Sequence, residues 1–397
     1  MTHDTTFLHI RQFLSLCHCA SYYYLIQVVA QYYAISPFSF SIVFLLPAFF
    51  VSASALLPSS VCMPLVAISY AALIQGKRIL SLSCIVCMTV LCWPFAGILV
   101  IMHVMDGVFH GHWVLYCKTG LLASSLCVAY AVTVDTIYYG TWTFAPWQMV
   151  QYNVILNKST IYGIDPLSYY LKVLLLQWTP LLGASFCLPS VDKHRIIRLS
   201  AIILWFSVFF AQPHKEERFL YPIYPLLAID MGILIHKWGL YANLPLALFT
   251  ILRITALIQR QDIMHLMNHV HSPTVCFQDQ WHLFPSHFHL PLTSTAAFKK
   301  GQFTGQLPYS FQQNALDHNV PASFASTYPM HHVNDMGLPI NDRYATTCHL
   351  NTSVNIIQSP IQRGTCVPTI HSDQSWWGRV LRIPFTPLSK VSYLCLE

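Results

Sequence analysis

Over the first 260 residues, apolar runs follow one another with only short polar connectors between them. They fall at about 13–32, 38–56, 60–76, 79–93, 95–110, 119–134, 166–187, 198–211, 219–235 and 239–257. A helix that crosses a bilayer needs roughly 20 apolar residues, and somewhat fewer where its ends snorkel. The pattern therefore predicts roughly eight to ten spanning helices, an all-α polytopic membrane domain over residues 1–259. The two runs on either side of Trp93-Pro94 are short. Proline interrupts the helical ladder, so they form either one broken span or a tight pair.

After about residue 260 the pattern changes to a stretch rich in Pro, His, Gln, Ser and Thr. Residues 260–397 read as a small separate C-terminal domain of low regularity. No internal repeat is evident.

Basic residues assign sides to the spans. Lys77, Arg78, Lys118, Lys193, His194, Arg195, Arg198, His236 and Lys237 stand beside apolar runs, and positive-inside bias places them in the cytosol as topology signals. That parity works if residues 79–110 cross twice, which favours the tight pair. It leaves residues 135–165, the connector 212–218 and everything after about 258 on the lumenal side. Two N-glycosylation sequons, Asn157-Lys158-Ser159 and Asn351-Thr352-Ser353, both lie on that side.

Composition agrees with the membrane reading. Hydrophobic residues make up 55% of the 397 positions and charged residues 9%, with a mean hydropathy of +0.49. A soluble domain carries about 25% charged residues. The formal charge of +6 is thinly spread, without the basic stripe that nucleic acid requires. The opening MTHDTTFLHIR has no basic n-region of a signal peptide. Cysteines before residue 190 sit mostly in apolar runs, where a small buried hydrophobe is the simplest role. Cys84 and Cys87 form a CxxC without a second pair. Cys276, Cys348, Cys366 and Cys395 lie in the tail, where disulfides form if it faces an oxidising lumen.

Acids are scarce enough to be informative. Two of the three glutamates are adjacent, in His214-Lys215-Glu216-Glu217-Arg218, between two apolar runs. His214, Lys215 and Arg218 are suited to grip a phosphate, with Glu216 or Glu217 orienting them or binding sugar hydroxyls. The same five residues also fit a solvated turn whose acids favour the N-terminus of the next helix. A second candidate is the stretch from Asp135 to Asp165, which mixes acids with Tyr138, Tyr139, Trp142, Trp147, Tyr152 and Tyr162. Aromatic faces and carboxylates suit a glycan, although an interfacial aromatic belt has the same composition. Asp135 is either a base or a structural cap. Asp106 and Arg253 lie in or near apolar runs, where Arg253 also fits snorkelling at a boundary. No HExxH, Cys/His zinc spacing, GxxxxGK[ST] or strand-linked GxGxxG occurs, so no metal, nucleotide or other cofactor site is expected.

The run HKEERFLYPIYPL over residues 214–226 resembles the signature of the dolichyl-phosphate-mannose-dependent mannosyltransferases. Its double glutamate and YPIYP resemble the α-1,2-mannosyltransferases of N-glycan precursor assembly in particular. Leu57–Met63 resembles that family's FLPSSFCM, residues 135–153 its DSYYYG…APxNIVxYN, and Tyr162–Pro166 its YGTEP. In the tail, 284–291 and 303–308 resemble FPSSFFLP and FRGQLP. The resemblance implies the membrane-embedded glycosyltransferase fold of type C in the endoplasmic reticulum membrane. It also implies inverting transfer of mannose from dolichyl-phosphate-mannose to the lipid-linked oligosaccharide, with the C-terminal region lumenal. The donor is a substrate and membrane lipid the surroundings.

Members of that family carry their presumed base in a first lumenal loop with an acidic pair, usually Asp-Glu. No Asp-Glu pair occurs in this chain, which resembles the family from about its third helix onward. The expectation is therefore that the 397 residues alone transfer little mannose, with Asp135 the weak stand-in for a base. The alternative is a catalytically inactive relative, a pseudoenzyme or lipid-handling subunit. An ordinary transporter would instead place ionisable residues face to face within the bundle.

Overall fold

The computed structural model describes residues 3–179, 181–188 and 192–259, together with strand segments 274–277, 295–298, 365–370 and 391–396. Up to Gln259 the chain is helical. The principal helices are α1 (His3–Tyr33), α2 (Pro58–Ile74), α3 (Arg78–Cys87), α4 (Ile101–His110), α5 (Trp113–Tyr139), α6 (Ala145–Val150), α7 (Ser168–Trp178), α8 (Leu181–Phe186), α9 (Lys193–Ala211) and α10 (Tyr224–Gln259). Beyond α10, β1 (Thr274–Phe277) pairs in parallel with β2 (Thr295–Phe298). β3 (Thr365–Ile370) pairs antiparallel with β4 (Val391–Leu396), setting Cys366 opposite Cys395. Asn351 and the two tail motifs at 284–291 and 303–308 lie outside the described residues.

Local sequence sets the helix ends. Pro58 opens α2 at a position where its missing N–H costs nothing. Asp192 caps α9 by accepting a hydrogen bond from the Arg195 backbone N–H at 3.0 Å. Gly111 and Gly140 close α4 and α5 in the left-handed conformation.

Four helical segments are long and apolar enough to cross a membrane: Leu8–Tyr33, Trp113–Tyr139, Lys193–Ala211 and Glu217–Gly239. Shorter apolar helical segments are Pro58–Ile74, Arg78–Cys92, Pro94–His110 and Leu246–Thr255. Around Trp93 the chain turns through extended backbone. Arg78 at the start of one arm then meets Asp106 near the end of the other, Nε to Oδ2 at 2.8 Å. That meeting requires antiparallel arms, so the two runs are a tight pair. His110 Nδ1 (3.0 Å) and the Tyr116 hydroxyl complete the bonding of Asp106, which is fully buried.

The bundle is built around one segment. Every residue from Leu220 to Ile235 is buried, the mark of a helix packed on all sides. By contrast α5 buries only Tyr116, Cys127 and Ala131 and shows the rest of its apolar surface to its surroundings, as lipid-facing helices do. A Cβ added at Gly232 would stand 2.1 Å from a ring carbon of buried Phe40. Gly232→Ala should therefore push Phe40 out of the core and cost about 1–3 kcal/mol, measured as a lower melting temperature in detergent. Wild-type melting would show that the contact can relax freely.

The central segment contains an ion network with two arginines on one carboxylate. Asp230 accepts from Arg195 Nε at 3.1 Å and from Arg198 Nε and Nη2 at 3.1 and 2.7 Å. Arg198 also reaches the hydroxyls of Tyr70 and Tyr33, at 3.0 and 3.3 Å. Arg195 donates to backbone carbonyls at the end of α8. These two arginines are buried core residues, which corrects their reading as juxtamembrane topology signals. Three residues apart on α9, both face Asp230 in the middle of the bundle.

α10 is interrupted at Gly239, which has φ 70° and ψ −168°, a region open in practice to glycine alone. Residues 219–235 and 239–257 are accordingly separate helical runs. Arg253 lies 253 − 239 = 14 residues beyond the break, about 21 Å of helix.

Candidate active site

The site forms where the connector between α9 and Tyr224 meets the loop after Tyr162. Asp165 N–H donates to Pro213 O at 3.0 Å. His214 Nδ1–H donates to Gly163 O at 3.2 Å, and Lys215 Nζ donates to Asp165 O at 3.1 Å. Three bonds thus latch residues 163–165 to residues 213–215. Gly163 adopts φ 109°, which side-chain-bearing residues rarely do.

The five ionisable residues of the connector do different things. Lys215 is buried, with its ammonium donating to the carbonyls of Asp165 and Gln212. It holds the two segments together and is not presented to solvent. His214 has an acceptor at each ring nitrogen, Gly163 O on one side and Glu216 Oε1 at 3.0 Å on the other. Arg218 engages Glu216 through both nitrogens of one edge, Nε to Oε2 at 2.6 Å and Nη2 to Oε1 at 2.6 Å. The Nη2 contact is a charge-assisted hydrogen bond, and the Nε approach adds ion-pair attraction. The Arg218 side chain is 43% exposed, so the rest of its N–H donors remain available.

Aromatic packing fixes Arg218 in place. Its guanidinium lies 5.7 Å from the Phe219 ring, which stacks on Trp93 at 5.9 Å. Trp205 Nε1–H donates to Phe219 O at 3.0 Å. The two glutamates are separated by their bonding. Glu216 belongs to the His214–Arg218 array, whereas Glu217 Oε2 accepts from Gln177 Nε2 on α7 at 3.0 Å.

Burial pushes the Glu216 carboxyl up, but His214 and Arg218 outweigh it, and the net result is a value below the ordinary one. A group lowered on folding stabilises the protein fully above its unfolded value and loses that contribution as pH falls through the native one. Acidification through that range should therefore destabilise the wild type more than Glu216→Gln, measured as melting temperature against pH in detergent. Parallel curves would remove Glu216 from the charge array.

Asp135 is a cap. Its Oδ2 accepts from Ala145 N–H at 2.8 Å, at the start of α6. Among the described residues no hydrogen bond or ion pair joins it to the 212–218 connector. Two further residues join the site around Glu217. Gln177 gave no signal, because an amide in an apolar run is unremarkable. Arg253 reads in the sequence equally as a functional residue or as one snorkelling at a boundary, and the reversal at Gly239 carries it into the bundle. There it is buried, and its charge acts on Glu217. The glycine after His236-Lys237-Trp238 was the available clue.

Several apolar helices, four of them long enough to cross a membrane, packed into one bundle with a charged connector between two of them define a class, the polytopic helical membrane proteins. The particular family follows from sequence: the profile of the Alg9-like mannosyltransferase family matches residues 1–291, and the chain belongs to that family. Among its relatives, Alpha-1,2-mannosyltransferase Alg9 of Drosophila melanogaster is 29% identical over 67% of this chain and 52% of its own. Alpha-1,2-mannosyltransferase ALG9 of Mus musculus is 26% identical over 98% of this chain and 72% of its own. The chain thus spans about half of the fly relative and under three quarters of the mouse one. Among solved structures, ArnT from Cupriavidus metallidurans bound to undecaprenyl phosphate is similar with a TM-score of 0.47. The identity is 12%, covering 64% of this chain and 51% of that one.

Proposed function

We propose that this protein acts as a mannosyltransferase, taking mannose from dolichyl-phosphate-mannose and adding it to the lipid-linked oligosaccharide in α-1,2 linkage. The observation that carries the reading is the latched connector, which presents Arg218, braced by Glu216 and His214, at a lipid boundary. An inverting transfer needs donors that stabilise the departing phosphate. A half-exposed guanidinium held on an aromatic stack is preorganised for that task. His214 and Glu216 orient it, Lys215 fixes the backbone beneath it, and Glu217 ties the connector to α7.

Purified protein in nanodiscs should bind labelled dolichyl-phosphate-mannose saturably. Dolichyl phosphate should compete, and GDP-mannose should not. Competition by the nucleotide sugar alone, or no binding, would overturn the reading.

We further propose an endoplasmic-reticulum location with the connector, residues 135–165 and the chain beyond about 258 in the lumen. His194 and His236, which the sequence gives the cytosolic side, bond to residues near the ends of other runs: Tyr70 OH donates to His194 O at 2.8 Å, and Ser36 N–H to His236 Nδ1 at 3.3 Å. At the other end, 163–165 meet 213–215. Asn157 is exposed, with φ 48°, at the start of a short helical turn leading to that latch. A glycosidase-sensitive gel shift that Asn157→Gln diminishes is the expected result in microsomes. Protease access to the tail in intact microsomes would contradict the orientation.

A further inference from the structure

We propose that Asp165 is a substrate-binding residue of this site, its carboxylate accepting a hydrogen bond from a hydroxyl of the acceptor sugar. The inference rests on the mannosyltransferase reading and goes past it, because it singles out one carboxylate of the Asp135–Asp165 stretch and gives it a specific contact with the acceptor.

The case begins with the acids already placed near the site. Glu216 is held by Arg218 and His214. Glu217 accepts from Gln177, and Asp135 caps α6. Asp165 differs from all three. Its carboxylate makes no hydrogen bond or ion pair among the described residues, and the residue is half-buried. Its backbone, by contrast, is fixed at both ends of the residue, N–H to Pro213 O and C=O to Lys215 Nζ. The following Pro166 restricts it further.

An available carboxylate on an immobilised backbone is what hydroxyl recognition needs. A sugar hydroxyl both donates and accepts, and a carboxylate is a pure acceptor whose bonds to donors are stronger than neutral ones. Because the peptide is already ordered, binding loses little additional freedom. The location also suits an acceptor. Asp165 is two residues from Gly163, whose carbonyl holds His214. His214 in turn contacts Glu216, the partner of Arg218. Tyr169 lies within electrostatic reach of Glu217, Asp165 and Glu216 together. Tyr162, whose ring centroid is 5.9 Å from that of His214, supplies an aromatic face beside the latch. Donor phosphate and acceptor hydroxyl would then be read by two adjoining segments that the latch makes one unit.

The test uses the full chain in nanodiscs and two probes. One is labelled dolichyl-phosphate-mannose. The other is a synthetic mannose-terminated oligosaccharide on a short isoprenoid pyrophosphate. Asp165→Asn should weaken the oligosaccharide probe by about 10–100-fold, the scale of one hydrogen bond to a charged group, and leave donor binding within about threefold. Retained donor binding also shows that the variant is folded. Asp165→Glu, which keeps the acceptor oxygens, should recover part of the loss. If neither variant retains donor binding, the residue is structural and the proposal fails. Unchanged oligosaccharide binding by Asp165→Asn overturns it too, as does a wild type that binds donor alone; both leave the donor reading intact. A wild type that binds neither probe removes the functional reading itself, and Asp165 with it.

Discussion

Asp230→Ala should leave too little folded protein to purify. Asp230 is fully buried at the centre of the segment around which the bundle packs, and its carboxylate pairs with the guanidinium groups of both Arg195 and Arg198. Removing it leaves two guanidinium groups in a site closed to water. Breaking a buried pair by deleting one partner costs about 3–5 kcal/mol, because the remaining charge is uncompensated. Two stranded charges put the effect at the upper end of that range. Arg195 keeps its carbonyl partners and Arg198 its tyrosine hydroxyls, but all of these are neutral. Asp230→Asn, which preserves shape and one acceptor, should fall between. The measurement is the fraction of monodisperse protein after detergent extraction, followed by melting temperature. Near-normal recovery of Asp230→Ala would mean that the arginines find anionic lipid or water instead.

Arg218→Ala should lower donor affinity by about 10–100-fold, the range expected when a hydrogen-bonded charge is removed from a phosphate contact. Arg218 is the connector cation with exposed donors, whereas Lys215 is committed to backbone carbonyls and His214 faces acceptors at both nitrogens. Arg218→Lys keeps the charge and loses the fork, so its affinity should lie between the two. Lys215→Met should instead act through the latch, lowering melting temperature as residues 163–165 come loose. If Lys215→Met weakened donor binding with no loss of stability while Arg218→Ala bound normally, the roles assigned to the two cations would be exchanged.

Much of this arrangement was legible in the chain because the bilayer imposes simple rules. Length and apolarity marked most of the helical runs, although 38–56 and 166–187 are each broken into short pieces, and the Trp93-Pro94 break with its flanking basic residues indicated the tight pair that Arg78 and Asp106 close. The cluster 214–218 stood out because charge is scarce. What remained hidden depends on contacts between distant segments. Arg195 and Arg198 look like any basic start of a membrane helix until Asp230, 32 residues beyond Arg198, turns out to face them. The division of labour between Lys215 and Arg218 depends on where the 163–165 loop lies. The contact of Asp135 with Ala145 N–H is also hidden, because it joins residues ten apart across the turn at Gly140. Gln177 and Arg253 join Glu217 only through the packing of α7 and the reversal at Gly239.

The most direct test is to map where the donor binds. A dolichyl-phosphate-mannose analogue with a photoreactive group next to the phosphate can be crosslinked to the protein in nanodiscs and the adducts located by mass spectrometry. The account predicts adducts in the peptides carrying residues 212–219 and 163–165, lost with excess unlabelled donor and reduced in Arg218→Ala. Adducts confined to the opposite end of the bundle, around Lys77 and Arg78 or Lys193 and His194, would contradict it.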